Sequence, residues 1–152
     1  MRVASRHRIV VDIAVDRAFM LFTPAGEELW VDGWAPRYVH PADGRTEPGM
    51  VFTTGAGAEA TWWTLVDFDR ATHRSRYLRV TPASRFAVVE VACEALADGR
   101  TAVEVGYTVT ALDAAAGPAL AAYEGERFAA MIDGWAQAIA ARRETLLAAN
   151  LR

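Results

Sequence analysis

The stretch "RFAVVEVACEALADGRTAVEVGYTVTAL", Arg85–Leu112, decides the fold. Two runs rich in β-branched residues flank the turn "ADGR", the pattern of a β-hairpin. A two-residue turn at Asp98-Gly99 would pair Ala97 with Arg100 and mix valines with glutamates on both faces. A three-residue loop, with Gly99 left-handed, pairs Leu96 with Arg100 instead. Val89, Val91, Cys93, Val103, Val105, Tyr107 and Val109 then line one face. Glu90, Glu94, Glu104 and Thr108 line the other. A one-residue slip inverts a strand, so this sorting selects the second register.

The same logic carried upstream, across a five-residue loop, puts Tyr77 and Arg79 of "HRSRYLRVT" on the apolar face. Arg76 then faces outward opposite Glu90, placed for a cross-strand ion pair. Further strands are expected at Met50–Thr54 ("MVFTT") and Ala60–Phe68 ("ATWWTLVDF"). With Arg85–Glu94 and Thr101–Leu112 they form an antiparallel meander. At the other end, "RHRIVVDIAV" (Arg6–Val15) reads as the first strand. Asp16 is placed to cap the short helix "RAFMLF", and "PAGEELWVDGW" permits a second, ended by Gly33 and Pro36.

From about Pro118 the period changes. Phe128, Met131, Ile132, Trp135, Ile139 and Leu146 recur at steps of three and four, one face of a long helix. Pro118 suits its first turn, and Gly125 and Gly134 fall inside it. The expectation is a single α+β domain over residues 1–152.

The totals narrow the function. A net charge of −3 disfavours nucleic acid as a partner. All 16 basic residues are arginine. The N-terminal apolar run is short, is broken by Asp12, and lacks a cleavage site. It does not read as a signal peptide. No apolar run reaches the ~18 residues needed to span a bilayer, so membrane insertion is not expected. One cysteine, Cys93, permits no intrachain disulfide. These features together suggest a cytoplasmic protein.

Four stretches carry a resemblance: "LFTPAGEELWVDGWAP", "TWWTLVDFDRATHRSRYLRVTP", "VEVGYTVTAL" and "FAAMIDGWAQAI". They resemble small bacterial proteins of the SRPBCC superfamily, the START and birch-pollen-allergen-like helix-grip fold. The resemblance implies a curved antiparallel sheet of six or seven strands around the long C-terminal helix. It also implies two short helices that close one end as a lip, and an internal cavity for a lipid-like or aromatic molecule. Expected wall residues are Trp30 and Trp34 from the lip, and Phe128, Met131 and Trp135 from the helix. The sheet would add Trp62, Tyr77, Arg79, Val89, Val91, Val105 and Tyr107. Glu27, Glu28 and Asp32 would face water.

Other motifs weigh less. "TGAGAEA" matches a loose dinucleotide fingerprint, but that motif must open a helix and here a strand follows. A mobile hairpin turn is the better reading. His7, His40 and His73 lack ligand spacing and Cys93 has no partner, so neither a metal site nor a cofactor is expected. Cys93 on an apolar face reads as a small hydrophobe.

Arg79 stands apart. A guanidinium beside a cavity is costly unless paired; it could grip a ligand carboxylate or pair with a nearby acid. Three functions remain open at this point. One is a binder of a small hydrophobic molecule, oriented by Arg79 and Tyr107. Another is a polyketide cyclase or dehydratase-like enzyme using Tyr77, Arg79 and Tyr107, with no catalytic residue assigned. The third is a protein-binding, ATPase-activator-like module or homodimer, docking through the outward patch Leu78, Val80, Phe86 and Val88.

Overall fold

A computed structural model of the chain describes residues 1–151. Seven strands form one antiparallel sheet in the order β1-β7-β6-β5-β4-β3-β2. The strands are β1 (Arg2–Val11), β2 (Arg37–His40), β3 (Val51–Thr54), β4 (Thr61–Asp69), β5 (Arg74–Thr81), β6 (Arg85–Ala95) and β7 (Thr101–Ala111). Helices α1 (Val15–Met20) and α2 (Pro24–Glu27) follow β1. The long helix α3 (Gly125–Ala141) and the short α4 (Arg143–Ala148) close the chain. The sheet curves around α3, giving an α+β helix-grip architecture with the core between them.

The hairpin that decided the fold has the expected register. Cys93 pairs with Val103, the Leu96 amide donates to the Arg100 carbonyl at 2.8 Å, and Gly99 has φ +86°. Upstream, Arg76 sits opposite Glu90 and Tyr77 opposite Val89. The loop there is three residues long, not five, because pairing continues to Thr81 and Arg85 in the same register.

Several boundaries differ from expectation. β1 starts at Arg2 rather than Arg6, because β7 offers partners as far as Thr110 and draws the polar "RVASR" into the ladder. β1 also ends at Val11, since Val15 already belongs to α1. Asp16 does not cap α1: Ala14 occupies the cap position without a side-chain bond, and Asp16 instead accepts from His73 at 2.7 Å. The edge strand β2 was not expected; it is four residues long within a turn-rich segment. The long helix starts at Gly125, not near Pro118. Pro118 lies in a preceding 3-10 run, Ala114–Tyr123. Gly125 is therefore the first helical residue, with φ +51°, and Leu146 lies on α4 beyond a break at Arg142. "TGAGAEA" joins β3 to β4 through a single 3-10 turn, Gly57–Glu59.

Candidate functional site: a small aromatic cavity under the lip

The lip is built by local rules. Thr23 caps α2, accepting from the Gly26 amide at 3.0 Å, and Pro24 takes the first helical position, where no amide is needed. At Gly26 the lip lies so close to α1 that a Cβ would sit 2.0 Å from the Met20 carbonyl oxygen. Only glycine permits that approach. The segment Leu21–Pro36 is thereby held against α1, and Pro24, Glu27, Val31 and Trp34 face the sheet across a pocket. Trp30 is buried and donates to the Leu21 carbonyl at 2.8 Å. Trp34 donates to the Pro24 carbonyl at 2.9 Å. Tethered indoles thus roof an apolar interior, which is why a broken, acidic segment carries two of them.

Beneath the lip lies a cavity of about 100 Å³. Pro24, Glu27, Val31 and Trp34 form its roof. Phe52, Trp63, Tyr77, Arg79, Val89 and Tyr107 are among its sheet walls, and Trp135 closes it from α3. Aromatic rings dominate. Trp63 stacks on Phe52 at 5.5 Å between centroids and meets Trp34 edge-on at 5.7 Å.

Three polar features interrupt this wall. The Tyr77 hydroxyl donates to the Phe22 carbonyl at 3.1 Å, and burial raises its pKa well above the phenolic value. Burial pushes the Tyr107 hydroxyl up to about 12. Arg79 sits in a box of rings. Its guanidinium carbon lies 5.0 Å from the Trp63 centroid, 5.3 Å from Tyr107 and 5.5 Å from Tyr123. It donates one hydrogen bond, from Nη2 to the Tyr123 hydroxyl at 2.8 Å. Its Nε is sealed from solvent with no partner among the described residues. No carboxylate lies within ion-pairing distance of it among the described residues, so the alternative of a direct acid pair is not realised.

The residue that sequence reasoning missed is Glu27. Glu28 does face outward, accepting from Tyr38 at 2.8 Å, and Asp32 pairs with Arg142 at 2.8 Å. Glu27 instead lines the cavity. Burial raises its carboxyl well above the usual range, with Arg79 pulling partly the other way. A carboxyl in that position keeps its proton where surface acids have lost theirs. The signal was present: Pro24, Glu27, Val31 and Trp34 recur at helical spacing, and all four face the cavity.

The expected wall residues divide. Trp34, Tyr77, Arg79, Val89, Val91, Tyr107 and Trp135 meet at the cavity. Trp30, Val105 and Phe128 are buried in the surrounding core, and Met131 packs against that core. Trp62 is a correction: it is 45% exposed on the outer face, and Trp63 takes the inward position. A bulge between Leu65 and Asp67 is the cause. Asp69 pairs with Arg74, and without the bulge Arg79 would face Thr64, turning Trp62 inward. The extra residue shifts the ladder so that Arg79 faces Trp63.

The outer face matches its expected character. Phe86 is exposed, and Trp62, Leu78 and Val80 line an apolar groove with it. Arg76 pairs with Asp67 at 3.4 Å and with Glu90 at 3.9 Å, while Glu90 and Glu104 also reach Arg6. Glu94, on the same outward face, forms no ion pair among the described residues. Cys93 is buried and its thiol is pushed up to about 12. Among the described residues no cluster of His, Cys, Asp or Glu is placed to hold a metal ion, and no helix is long and apolar enough to cross a membrane.

No protein-family model matches the sequence, and no curated protein matches it. Solved structures do. Norcoclaurine synthase from Thalictrum flavum superposes with a TM-score of 0.65 at 10% identity, covering 92% of this chain and 87% of that one. Ara h 8.0201 gives 0.65 at 14% identity, covering 98% and 100%. The Zhui aromatase/cyclase from Streptomyces sp. R1128 gives 0.55 at 14% identity, covering 75% and 71%. At such identities the likeness speaks for architecture alone. The chain has the helix-grip fold.

Proposed function

We propose that the protein binds a small hydrophobic molecule in the cavity between the sheet and α3. The observation that carries this is an interior space walled by aromatic rings, with a few polar groups gathered on it. That is the usual build of a ligand site: apolar burial for affinity, sparse polar groups for orientation. Arg79 and Tyr107 are the orienting groups. The volume of about 100 Å³ falls below the ~300 Å³ at which typical ligand pockets begin. In this closed state the cavity takes a compact ligand, and a lipid-like chain requires the lip to lift.

Displacement of a lipophilic dye, read on the native protein and on Val91→Phe, tests the proposal. Val91 lines the cavity, so the added ring fills it. The native protein is expected to bind and the variant to lose binding. Equal binding by both would place the dye elsewhere and overturn the proposal.

Glu27 favours a second function, an enzyme. A buried carboxyl that retains its proton, close to two tyrosines and an arginine, is equipped to donate a proton to a bound molecule. The synthase and the aromatase/cyclase that share the fold are compatible with such chemistry. Turnover of an aromatic-polyketide mimic, abolished by Arg79→Ala and by Glu27→Gln with the fold intact, would support this function. Turnover unchanged in both variants would remove it.

A further inference from the structure

The cavity is electrically unbalanced. Arg79 carries a positive charge with no carboxylate paired to it, and four of its five N–H donors make no hydrogen bond among the described residues. The one acid on the cavity wall, Glu27, makes no hydrogen bond to any described residue, and burial favours its neutral form. A half-buried guanidinium whose Nε is sealed without a partner leaves donors unmet, and a bound anion satisfies them. The walls around it are flat rings: Trp34, Phe52, Trp63 and Trp135. The space is also small. A cavity of roughly 150 Å³ is enough for benzene, and this one measures about 100 Å³. At that size a single ring enters only as the lip or a wall side chain gives way, and a larger rigid body would need still more movement.

These observations converge on one ligand class. We propose that the cavity is a site for single-ring aromatic carboxylates, with the carboxylate held by the Arg79 guanidinium and by Glu27 acting as hydrogen-bond donor. The proposal rests on the hydrophobic-ligand function above and narrows it. Arg79 supplies the charge. Glu27, in its protonated form, adds a hydrogen-bond donor, and the Arg79 charge disfavours ligands that bring a cation. The rings select planarity. Glu27 thereby becomes a specificity-determining residue, because its ionised form would repel the same anion.

A pH dependence follows, and the groups facing Glu27 set it. They are Arg79 and Tyr77 on β5, Tyr107 on β7 and Tyr38 on β2; Glu28 adjoins it on the lip and interacts with Tyr38. Burial raises all three tyrosines above the phenolic value. Affinity for a benzoate-type anion should hold on the acid side of the Glu27 transition and fall as pH rises through it.

The test uses benzoate and its neutral counterpart benzyl alcohol, titrated into the full chain by calorimetry or tryptophan emission. Benzoate is expected to bind at least about tenfold more tightly than benzyl alcohol at mildly acidic pH, the size of one charge-assisted contact. Arg79→Gln should erase that preference, bringing the two affinities to within about threefold of each other. Glu27→Gln, which keeps a neutral donor, should retain benzoate and flatten the pH dependence. Thermal melts check that each variant is folded, and the comparison of the two probes on the native protein needs no variant. If benzyl alcohol binds as well as benzoate, the carboxylate class is wrong and the hydrophobic site stands. If neither binds, and larger apolar compounds do not bind either, both proposals fall.

Discussion

Replacing Glu27 by Gln isolates the least expected feature of the molecule. In the native chain Glu27 lines an aromatic cavity and accepts no hydrogen bond from any described residue. Burial is the larger influence on its carboxyl and raises the pKa; the Arg79 charge opposes it and does not cancel it. The folded state therefore holds a proton that the unfolded chain releases at the ordinary carboxylate pKa. Between that value and the raised one, the native state binds more protons than the unfolded state. Unfolding free energy must then fall as pH rises through this window, with a limiting slope of about 1.4 kcal/mol per pH unit for one group. Below the window the contribution is fully present; above it, the loss is complete and the curve is flat. Gln has the same shape and no proton to lose. Urea unfolding of both proteins from mildly acidic to alkaline pH yields the difference curve, in which every other acid cancels. The difference should drift in favour of Glu27→Gln as pH rises and then level off. A difference constant at all pH values would show that Glu27 ionises as a surface acid does, and its placement on the cavity roof would fail as the cause of a raised pKa.

Three further outcomes are expected. Trp63→Ala should cost about 3–5 kcal/mol in chemical unfolding, as large core truncations do, while the exposed Trp62→Ala should cost under about 1 kcal/mol; equal costs would contradict the bulged register. Gly134→Ala should stabilise the protein by up to about 1 kcal/mol, because α3 is helical there and nothing lies within 4 Å of the new Cβ; destabilisation in a thermal melt would reveal a close approach the structure does not show. Cys93 should resist a disulfide reagent at neutral pH and react only when denaturant is added, since its thiol is buried and pushed up to about 12; rapid modification of the folded protein would refute this.

How much of the molecule could be read from its residues depended on whether a periodic pattern had a fixed origin. The β6–β7 hairpin has one, in the turn at Gly99, so alternation fixed every face from Val89 to Val109. That origin extended through the short loop after Thr81 to place Tyr77 and Arg79. It was not carried one hairpin earlier, where the register stayed open; the bulge near Val66, which leaves no mark in composition, turns Trp63 inward and leaves Trp62, expected from the resemblance, outside. The start of α3 was misplaced for a different reason. Pro118 suits the first turn of any helix, 3-10 or α, and the alanine-rich segment after it carries no period that separates the two. Glu27 was hidden because α2 is four residues long: the spacing that marks it, Pro24, Glu27, Val31 and Trp34, runs on past the helix into the turns and does not stand out as a single helical face. Asp16 had a cap's position in sequence, yet His73, delivered from the far side of the sheet by a turn with φ +57°, claims its carboxylate instead.

The central claim is that the space under the lip receives ligands, and the five tryptophans provide direct reporters. Trp34, Trp63 and Trp135 line the cavity, whereas Trp62 lies outside on the opposite face. Indole N–H resonances, followed by NMR while small aromatic compounds are added, should move for Trp34, Trp63 and Trp135 in step and saturably. The Trp62 signal should stay still. Movement of Trp62 alone, or no movement across a broad panel of compounds, would contradict the account.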